Sequence, residues 1–152
     1  MESKFNQKEL DSFYSLFDES PAIEIMHIHN NCEFISSYLD VVVQKNFGNL
    51  SLKETSSIDC NRFRLKSREF EYLVLSDTFN ECTNKEKFFE ACYHSLENSA
   101  FIILLEHKNN NNLKEVLDFF DTTEFRVPNN IDIFENYNLI MAKKLHMWGA
   151  GL

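Results

Sequence analysis

The sequence predicts a three-layer α/β/α sandwich, and two observations support this. Segments with helical periodicity alternate along the chain with short apolar runs of strand length. Two of these runs, 72–75 and 101–105, are apolar throughout instead of alternating with polar residues, which is typical of parallel strands covered on both faces. Helices that alternate with such strands favour an arrangement in which helices pack on both sides of one sheet.

The four predicted helices share one start signature, an N-cap residue placed three positions before a glutamate. The cap side chain can accept a hydrogen bond from the backbone amide three residues on, while the glutamate reaches back to the cap amide. The predicted caps are Asn6, Asn30, Thr83 and Asn112. The apolar faces that follow contain Leu10, Phe13, Tyr14 and Phe17, then Ile35, Tyr38, Leu39 and Val42, then Phe89, Cys92, Tyr93 and Leu96, then Leu113, Val116, Leu117 and Phe120. Gly48 is expected to end the second helix.

Short apolar runs between these helices predict the strands. They lie at 22–28, 49–54, 62–66, 72–76, 101–105 and 137–143. The run at 62–66 follows 49–54 too closely for a crossover helix, so it is either the second strand of a hairpin or a loop. Residues 131–135 alternate between apolar and polar and predict an edge strand that turns at 135–136 into the last strand.

Length and composition predict one domain over residues 1–152, with an N-terminal helical segment at 1–20 and an apolar C-terminal tail at 145–152. The chain has only 3 glycines, too few and too scattered for a P-loop or a G-x-G-x-x-G turn. Acidic residues outnumber basic ones 24 to 15, and the formal net charge is -9. This charge argues against nucleic acid and anionic membrane surfaces as partners.

The cysteines and the start of the sequence predict a cytoplasmic protein. The first residues lack the apolar core of a signal peptide, and no apolar run reaches the length of a membrane span. The 4 cysteines share no C-x-x-C spacing, so we expect reduced thiols.

The tail at 145–152 holds the only tryptophan, Trp148, and two of the three glycines. An apolar segment after the last strand either docks on the edge of its own sheet or anchors a partner, since aromatic residues dominate binding hot spots. A homodimer or a protein partner through Trp148 is therefore one of two expectations.

Four segments, taken in order, point to a known family. They are Ala22-Ile23-Glu24-Ile25, the run Arg68-Glu69-Phe70-Glu71-Tyr72-Leu73-Val74-Leu75-Ser76-Asp77, residues 87–98 with the strand Phe101-Ile102-Ile103 that follows, and Leu139-Ile140-Met141-Ala142-Lys143-Lys144. From about Pro21 to Lys144 the chain resembles a class I S-adenosylmethionine-dependent methyltransferase. The resemblance implies a Rossmann-like, mostly parallel sheet with an antiparallel last strand, and methyl transfer as the activity.

The resemblance also implies a set of site residues. The cofactor-binding candidates it implies are Glu24, Glu54 and Asp59, and the catalytic candidates are Asp77, Thr78 and Asn80. His27 and His29 are added to the cofactor-binding candidates because they are titratable groups at the carboxyl end of a strand, where they could contact a ligand. Glu54 would accept hydrogen bonds from the ribose diol, and Asp59 would lie near the adenine. The catalytic candidates would orient the acceptor, since positioning alone can accelerate such a transfer.

The chain departs from this family at the glycine-rich turn after the first strand. When Glu24 is aligned with the family's acidic residue, Met26, Ile28 and Asn30 stand where the glycines belong. Side chains there occupy the space of the cofactor. Two functions follow: a degenerate methyltransferase-like binding or regulatory module with no cofactor, or an active methyltransferase that binds S-adenosylmethionine and acts on a small molecule.

His27 and His29 also have the spacing of metal ligands, with Cys32 one turn further on. Alternate strand residues point the same way, so both imidazoles could reach one ion. The other interpretation is that the two rings fill space left by the missing glycines and hydrogen-bond locally. We assign no metal to the site.

Overall fold

A computed structural model describes residues 6–144, and this part of the chain contains four α-helices and six β-strands. The helices are α1 (Gln7–Tyr14), α2 (Glu33–Lys45), α3 (Lys85–Ser95) and α4 (Leu113–Phe120). The strands are β1 (Glu24–His29), β2 (Asn49–Glu54), β3 (Phe70–Ser76), β4 (Leu96–His107), β5 (Arg126–Ile131) and β6 (Tyr137–Lys143).

The strands form one sheet in the order β2-β1-β3-β4-β6-β5. Neighbours from β2 to β4 are parallel, whereas β6 runs antiparallel to both β4 and β5. This confirms the mostly parallel sheet with an antiparallel last strand. The chain leaves β1 towards β2 and then returns to β3 on the other side of β1. The strand order therefore reverses between β1 and β3, which is where open α/β sheets bind ligands.

Side chains of the central strands alternate between two separate cores, one on each face of the sheet. Ile25 and Val74 pack with α1 and α2. Ile28, Leu73 and Leu75 pack with α3 and α4. The three-layer α/β/α sandwich is thus confirmed.

The predicted N-caps are confirmed in position for two helices and wrong for the other two. Asn6 accepts from the amide of Glu9, 3.0 Å away. Asn112 precedes α4, but its side chain makes no cap bond. The observed N-cap of α2 is Cys32 and not Asn30, and that of α3 is Asn84 and not Thr83. The position of a cap also depends on tertiary contacts, which the four-residue signature does not contain.

Gly48 is not the left-handed residue that ends α2. That conformation belongs to Phe47, with φ of 53°, while the amide of Gly48 donates to the carbonyl of Val43 at 2.7 Å. This is the outer bond of a Schellman motif. Gly48 is needed for space instead, because a Cβ there would collide with the backbone carbonyl of Ile23.

The structure decides two of the strand predictions, the first of them through the pairing of β5 with β6. Ile131 lies opposite Leu139 in this antiparallel pair, so the residues between them form the connection. The edge strand predicted at 131–135 is therefore wrong, and the observed strand ends where it was expected to begin. The run at 62–66 is a loop.

Candidate functional site

The candidate site is the crevice between the carboxyl ends of β1 and β3. The turn after β1 runs from Asn30 to Cys32, and the loop after β3 begins at Asp77. Asn31 and Asp77 both have left-handed backbones, with φ of 57° and 53°. Asn and Asp accept this conformation more readily than other side chains do. Both strands therefore leave the sheet without glycine.

The expectation that Met26 and Ile28 stand in the turn after the first strand is wrong. Both lie inside β1, and both side chains are buried in the core beneath α3 and α4. The strand continues to His29 because its pairing with β3 continues to Ser76. Only Asn30 of the three lies in the turn.

Backbone and hydroxyl groups link the two strand exits across the crevice. The amide of Asn30 donates to the carbonyl of Ser76 at 3.0 Å, which extends the parallel pairing of β1 with β3 by one bond. The Thr78 hydroxyl lies 3.2 Å from the carbonyl of Ile28 and 2.9 Å from the Thr55 hydroxyl. Thr78 is 2% exposed, so this sequence-predicted residue lies in the crevice wall, with its oxygen already bonded.

Cys32 and Asp77 close the same crevice from the side of α2. The thiol of Cys32 lies 3.5 Å from Asp77 Oδ2 and can donate to it. Burial, and then the charge of Asp77, raise the pKa of Cys32 to about 12, so this thiol stays protonated. Asp77 Oδ1 accepts from the amide of His107 at 2.8 Å and from Asn110 Nδ2 at 3.0 Å. Both carboxylate oxygens of Asp77 therefore have partners within the chain.

Glu106 is a site residue that the sequence analysis missed. Its side chain is fully buried at the end of β4 and accepts from Asn110 Nδ2, from Asn112 Nδ2 and from the amide of Phe79. Burial raises the pKa of this carboxyl group. Asn112 Nδ2 also donates to Asn80 Oδ1 at 3.0 Å. The signal was a glutamate ending a wholly apolar run just before a series of asparagines.

His27 is held inside the sandwich rather than at the crevice surface. Its Nδ1 lies 2.8 Å from the hydroxyl of Ser36, and its Nε2 lies 2.7 Å from that of Ser76. Burial, together with the neighbouring His29, lowers the pKa of His27 to about 3. The imidazole is therefore neutral at ordinary pH, and both of its nitrogens are in use.

His29 stacks on His27 and connects the turn to β2. Its Nδ1 accepts from the amide of Cys32 at 3.1 Å, and its Nε2 lies 3.5 Å from Glu54 Oε2. Since Nδ1 is an acceptor, the neutral ring carries its proton on Nε2.

A metal bound to His29 would disrupt this hydrogen-bond pattern. Ligand atoms of His29, Glu33 and Glu54 lie within 4.8 Å of one another. A metal on Nε2 would move the ring proton to Nδ1, where it would face the amide of Cys32. His27 cannot join such a set without losing its serine partners. The local hydrogen-bonding interpretation of the two histidines describes this arrangement better than a metal centre.

Two of the sequence-predicted cofactor residues do not reach the crevice. Glu24 begins β1 at the opposite edge of the sheet, where it accepts from Asn49 Nδ2 at 2.8 Å. Asp59 lies on an exposed loop and accepts from the amide of Asn61. It borders a surface cavity of about 200 Å³ that includes Arg62. We therefore leave Glu24 and Asp59 out of the crevice, whereas Glu54 is half exposed at its edge.

An open groove lies elsewhere, between α3 and the end of α4. Its volume is about 610 Å³, and its lining includes Phe89, Tyr93 and Phe119, with Glu86 and Glu124. None of its lining residues belongs to the crevice.

No family model matches the sequence, and no curated protein matches it. Similarity appears in solved structures. A SAM-dependent methyltransferase from Aquifex aeolicus superposes with a TM-score of 0.73 at 12% identity, covering 90% of this chain and 89% of that one. The chain has a methyltransferase-like fold.

Two further structures with this methyltransferase-like fold bear on ligands and partners. One is Haemonchus contortus phosphoethanolamine N-methyltransferase 2, in complex with phosphomonomethylethanolamine and S-adenosylhomocysteine. Its TM-score is 0.59 at 10% identity, with 92% of this chain and 53% of that one covered. The other comes from the complex between the Haloferax volcanii Trm112 methyltransferase activator and a protein assigned as a methyltransferase. Its TM-score is 0.62 at 7% identity, with 91% and 90% covered.

Residues 6–144 include no helix that is both long and apolar enough to span a membrane. The tail with Trp148 lies outside the described residues, so its predicted docking or partner contact stays a prediction.

Proposed function

We propose that this protein is a methyltransferase-like binding or regulatory module that does not hold S-adenosylmethionine in the usual crevice. The observation that carries the proposal is the set of side-chain contacts that join the segments following β1, β2 and β3. Ligands of open α/β sheets lie between such segments. Here the Cys32 thiol lies against Asp77, and the Thr78 hydroxyl lies 2.9 Å from that of Thr55.

Opening this crevice would lower the affinity for any ligand that enters it. Each hydrogen bond lost without replacement costs about 0.5–1.5 kcal/mol, and more where a buried group is left without a partner. Thr78 and Cys32 are both almost fully buried. Every 1.4 kcal/mol spent on opening weakens binding about tenfold.

The module would act through a protein partner or a second copy of itself in the cytoplasm. The Haloferax volcanii complex supports a partner for this fold, because it joins an activator protein to a chain of similar structure. In this chain the proposed contact is the tail with Trp148.

Glu54 favours a second function, an active S-adenosylmethionine-dependent methyltransferase acting on a small molecule. Its carboxylate is half exposed at the carboxyl end of β2, with His29 Nε2 3.5 Å away, and it can accept from a ribose diol. In that case Asp77, Thr78 and Asn80 would orient the acceptor after giving up their present partners.

Thermal unfolding with S-adenosylmethionine and S-adenosylhomocysteine separates the two functions. A ligand present at 100 times its Kd adds about 2.7 kcal/mol to the free energy of unfolding, which raises Tm by several degrees for a domain of this size. For a closed crevice we expect no change in Tm at millimolar ligand.

Two variants make this measurement specific. Glu54→Ala removes the proposed ribose acceptor, and Glu115→Ala removes an exposed glutamate on α4 as a matched control. A ligand-induced rise in Tm that Glu54→Ala abolishes and Glu115→Ala keeps would establish cofactor binding through Glu54 and end the first proposal.

Light scattering of the full chain tests whether the tail with Trp148 mediates association of two copies of this chain. We expect Trp148→Ala to reduce the measured mass, and Phe47→Ala to leave it unchanged. Phe47 is a suitable control because it is an aromatic residue that is 89% exposed. A wild-type chain that is monomeric at high concentration would exclude the homodimer.

A further inference from the structure

Two cysteines approach each other on the α3/α4 face of the sheet. Cys60 Sγ and Cys82 Sγ are 2.6 Å apart, although the residues are separated by 22 positions. Unbonded carbon atoms pack at about 3.5–4.0 Å, and sulfur is larger than carbon. Both side chains are free thiols, buried to within a few per cent. The pair is therefore closer than ordinary packing requires.

We propose that Cys60 and Cys82 form a reversible disulfide that fastens the loop around Cys60 to the connection between β3 and α3. Disulfide sulfurs are about 2.05 Å apart, so the bond needs only a small further approach of the two side chains. Neither the cofactor nor methyl transfer takes part, and the inference goes beyond the proposed function.

The oxidant would be a low-molecular-weight disulfide such as oxidised glutathione. The Cys60 thiolate attacks one sulfur of this disulfide, which forms a mixed disulfide and releases one glutathione thiolate. The Cys82 thiolate then attacks the Cys60 sulfur, which forms the Cys60–Cys82 bond and releases the second glutathione. Two protein thiols are oxidised, one glutathione disulfide is reduced to two thiols, and the two protons pass from the cysteines to the glutathione sulfurs.

The local structure gives this order of attack a physical basis. Cys60 lies in a long connection between β2 and β3 that has no regular structure from 58 to 69, and such segments open locally at low cost. Burial raises the pKa of Cys82 to about 12, so its thiolate is scarce at neutral pH and the first attack belongs to Cys60. Cys82 loses its proton to solvent only in the second, intramolecular attack.

The remaining cysteines are placed differently. Cys92 is fully buried on α3, and its pKa is raised well above the usual value by burial and by the nearby Cys82 and Cys60. Cys32 lies in the turn after β1, against Asp77. Cys32 is therefore the remote control, whereas Cys92 shares a core with the pair and tests whether a third thiol competes for the cross-link.

The disulfide would also restrain one wall of the crevice. Cys82 follows the loop that carries Thr78 and Asn80, and the closed ring of chain contains the whole of β3. Cross-linking such a ring restricts the unfolded chain. We expect the oxidised protein to have a Tm higher by on the order of 5–10 °C.

The test uses the full chain equilibrated in glutathione buffers of increasing oxidised fraction, then denatured and alkylated. Intact mass counts the remaining thiols, and peptide mapping identifies the bonded pair. We expect two thiols to disappear together, one cross-linked peptide joining Cys60 to Cys82, and complete reversal by excess reduced glutathione. Cys32→Ala and Cys92→Ala should retain the cross-link, whereas Cys60→Ala and Cys82→Ala should lose it.

Two results would overturn the proposal: four alkylated thiols at every oxidised fraction, or a cross-link that joins any other pair. The wild-type peptide map decides between these outcomes even where a variant folds poorly. Because S-adenosylmethionine is absent from the assay, its outcome is independent of the cofactor experiment.

Discussion

Each face of the sheet buries an ionisable group, and the two groups become charged at opposite ends of the pH range. On the α1/α2 face, His27 lies between two serine hydroxyls and stays neutral. On the α3/α4 face, Glu106 accepts from two asparagines and from the amide of Phe79. Burial disfavours the charged form of both groups, so it makes the first face sensitive to acid and the second sensitive to base. The crevice between them is closed from both sides.

The largest expected effect is the loss of stability in acid because of His27. Its pKa is lowered from 6.5 to about 3 in the folded protein. Its contribution is therefore complete above pH 6.5 and is lost as the pH falls towards 3, because the unfolded chain takes up the proton first. The loss is about 2 kcal/mol at pH 5 and up to about 4–5 kcal/mol at pH 3. Urea unfolding as a function of pH measures it.

The control for this prediction is a histidine on the surface. His27→Gln should flatten the dependence of the unfolding free energy between pH 7 and pH 5, whereas His94→Gln, at an exposed position, should leave it unchanged. Equal slopes for wild type and His27→Gln would show that the α1/α2 face is not acid-sensitive through this residue.

A smaller effect is expected at Glu106. Glu106→Ala leaves buried donors of Asn112 and Phe79 without their acceptor, which costs about 1–3 kcal/mol. Burial raises the pKa of Glu106 above its ordinary value of 4.5, so stability is present below that pH and falls as the pH rises through the folded pKa. Glu106→Gln should remove this decline. Denaturant unfolding from pH 4 to pH 8 measures the free energy of unfolding of both proteins. An equal decline for Glu106→Gln and wild type would show that Glu106 does not make the α3/α4 face sensitive to base.

The smallest effect concerns the hydroxyl pair that links the crevice walls. Thr78→Val and Thr55→Val should each cost about 1 kcal/mol, and the double variant should cost less than their sum because the hydroxyls bond to each other. Thr122→Val, at an exposed position after α4, is the matched control. Additive losses in a double-mutant cycle would mean that this bond does not hold the crevice closed.

The sequence was sufficient for elements whose pattern is local. The bounds predicted for β2 and β6 are those observed, and the apolar positions of α2 are buried. The end of β1 was not predictable in this way, because the pairing of His29 with Ser76 sets it across a long separation in sequence. Aligning Glu24 with a family motif therefore placed the turn too early.

The site was only partly predictable for the same reason. The structure brings Asp77 and Thr78 to the crevice, and their catalytic roles stay predictions. The acceptor role of Glu106 depends on asparagines that follow β4, and a glutamate that ends an apolar run before several asparagines indicates it only weakly. The approach of Cys60 to Cys82 likewise depends on how the connection after β2 folds back beside the loop after β3.

The steric role of Gly48 offers a way to find relatives of this chain. A methyl group at that position would strike the carbonyl of Ile23, so a homologue that keeps the α2–β2 junction must keep glycine there. Searches that weight this residue should therefore recover distant homologues that a search for the glycine-rich cofactor signature would miss.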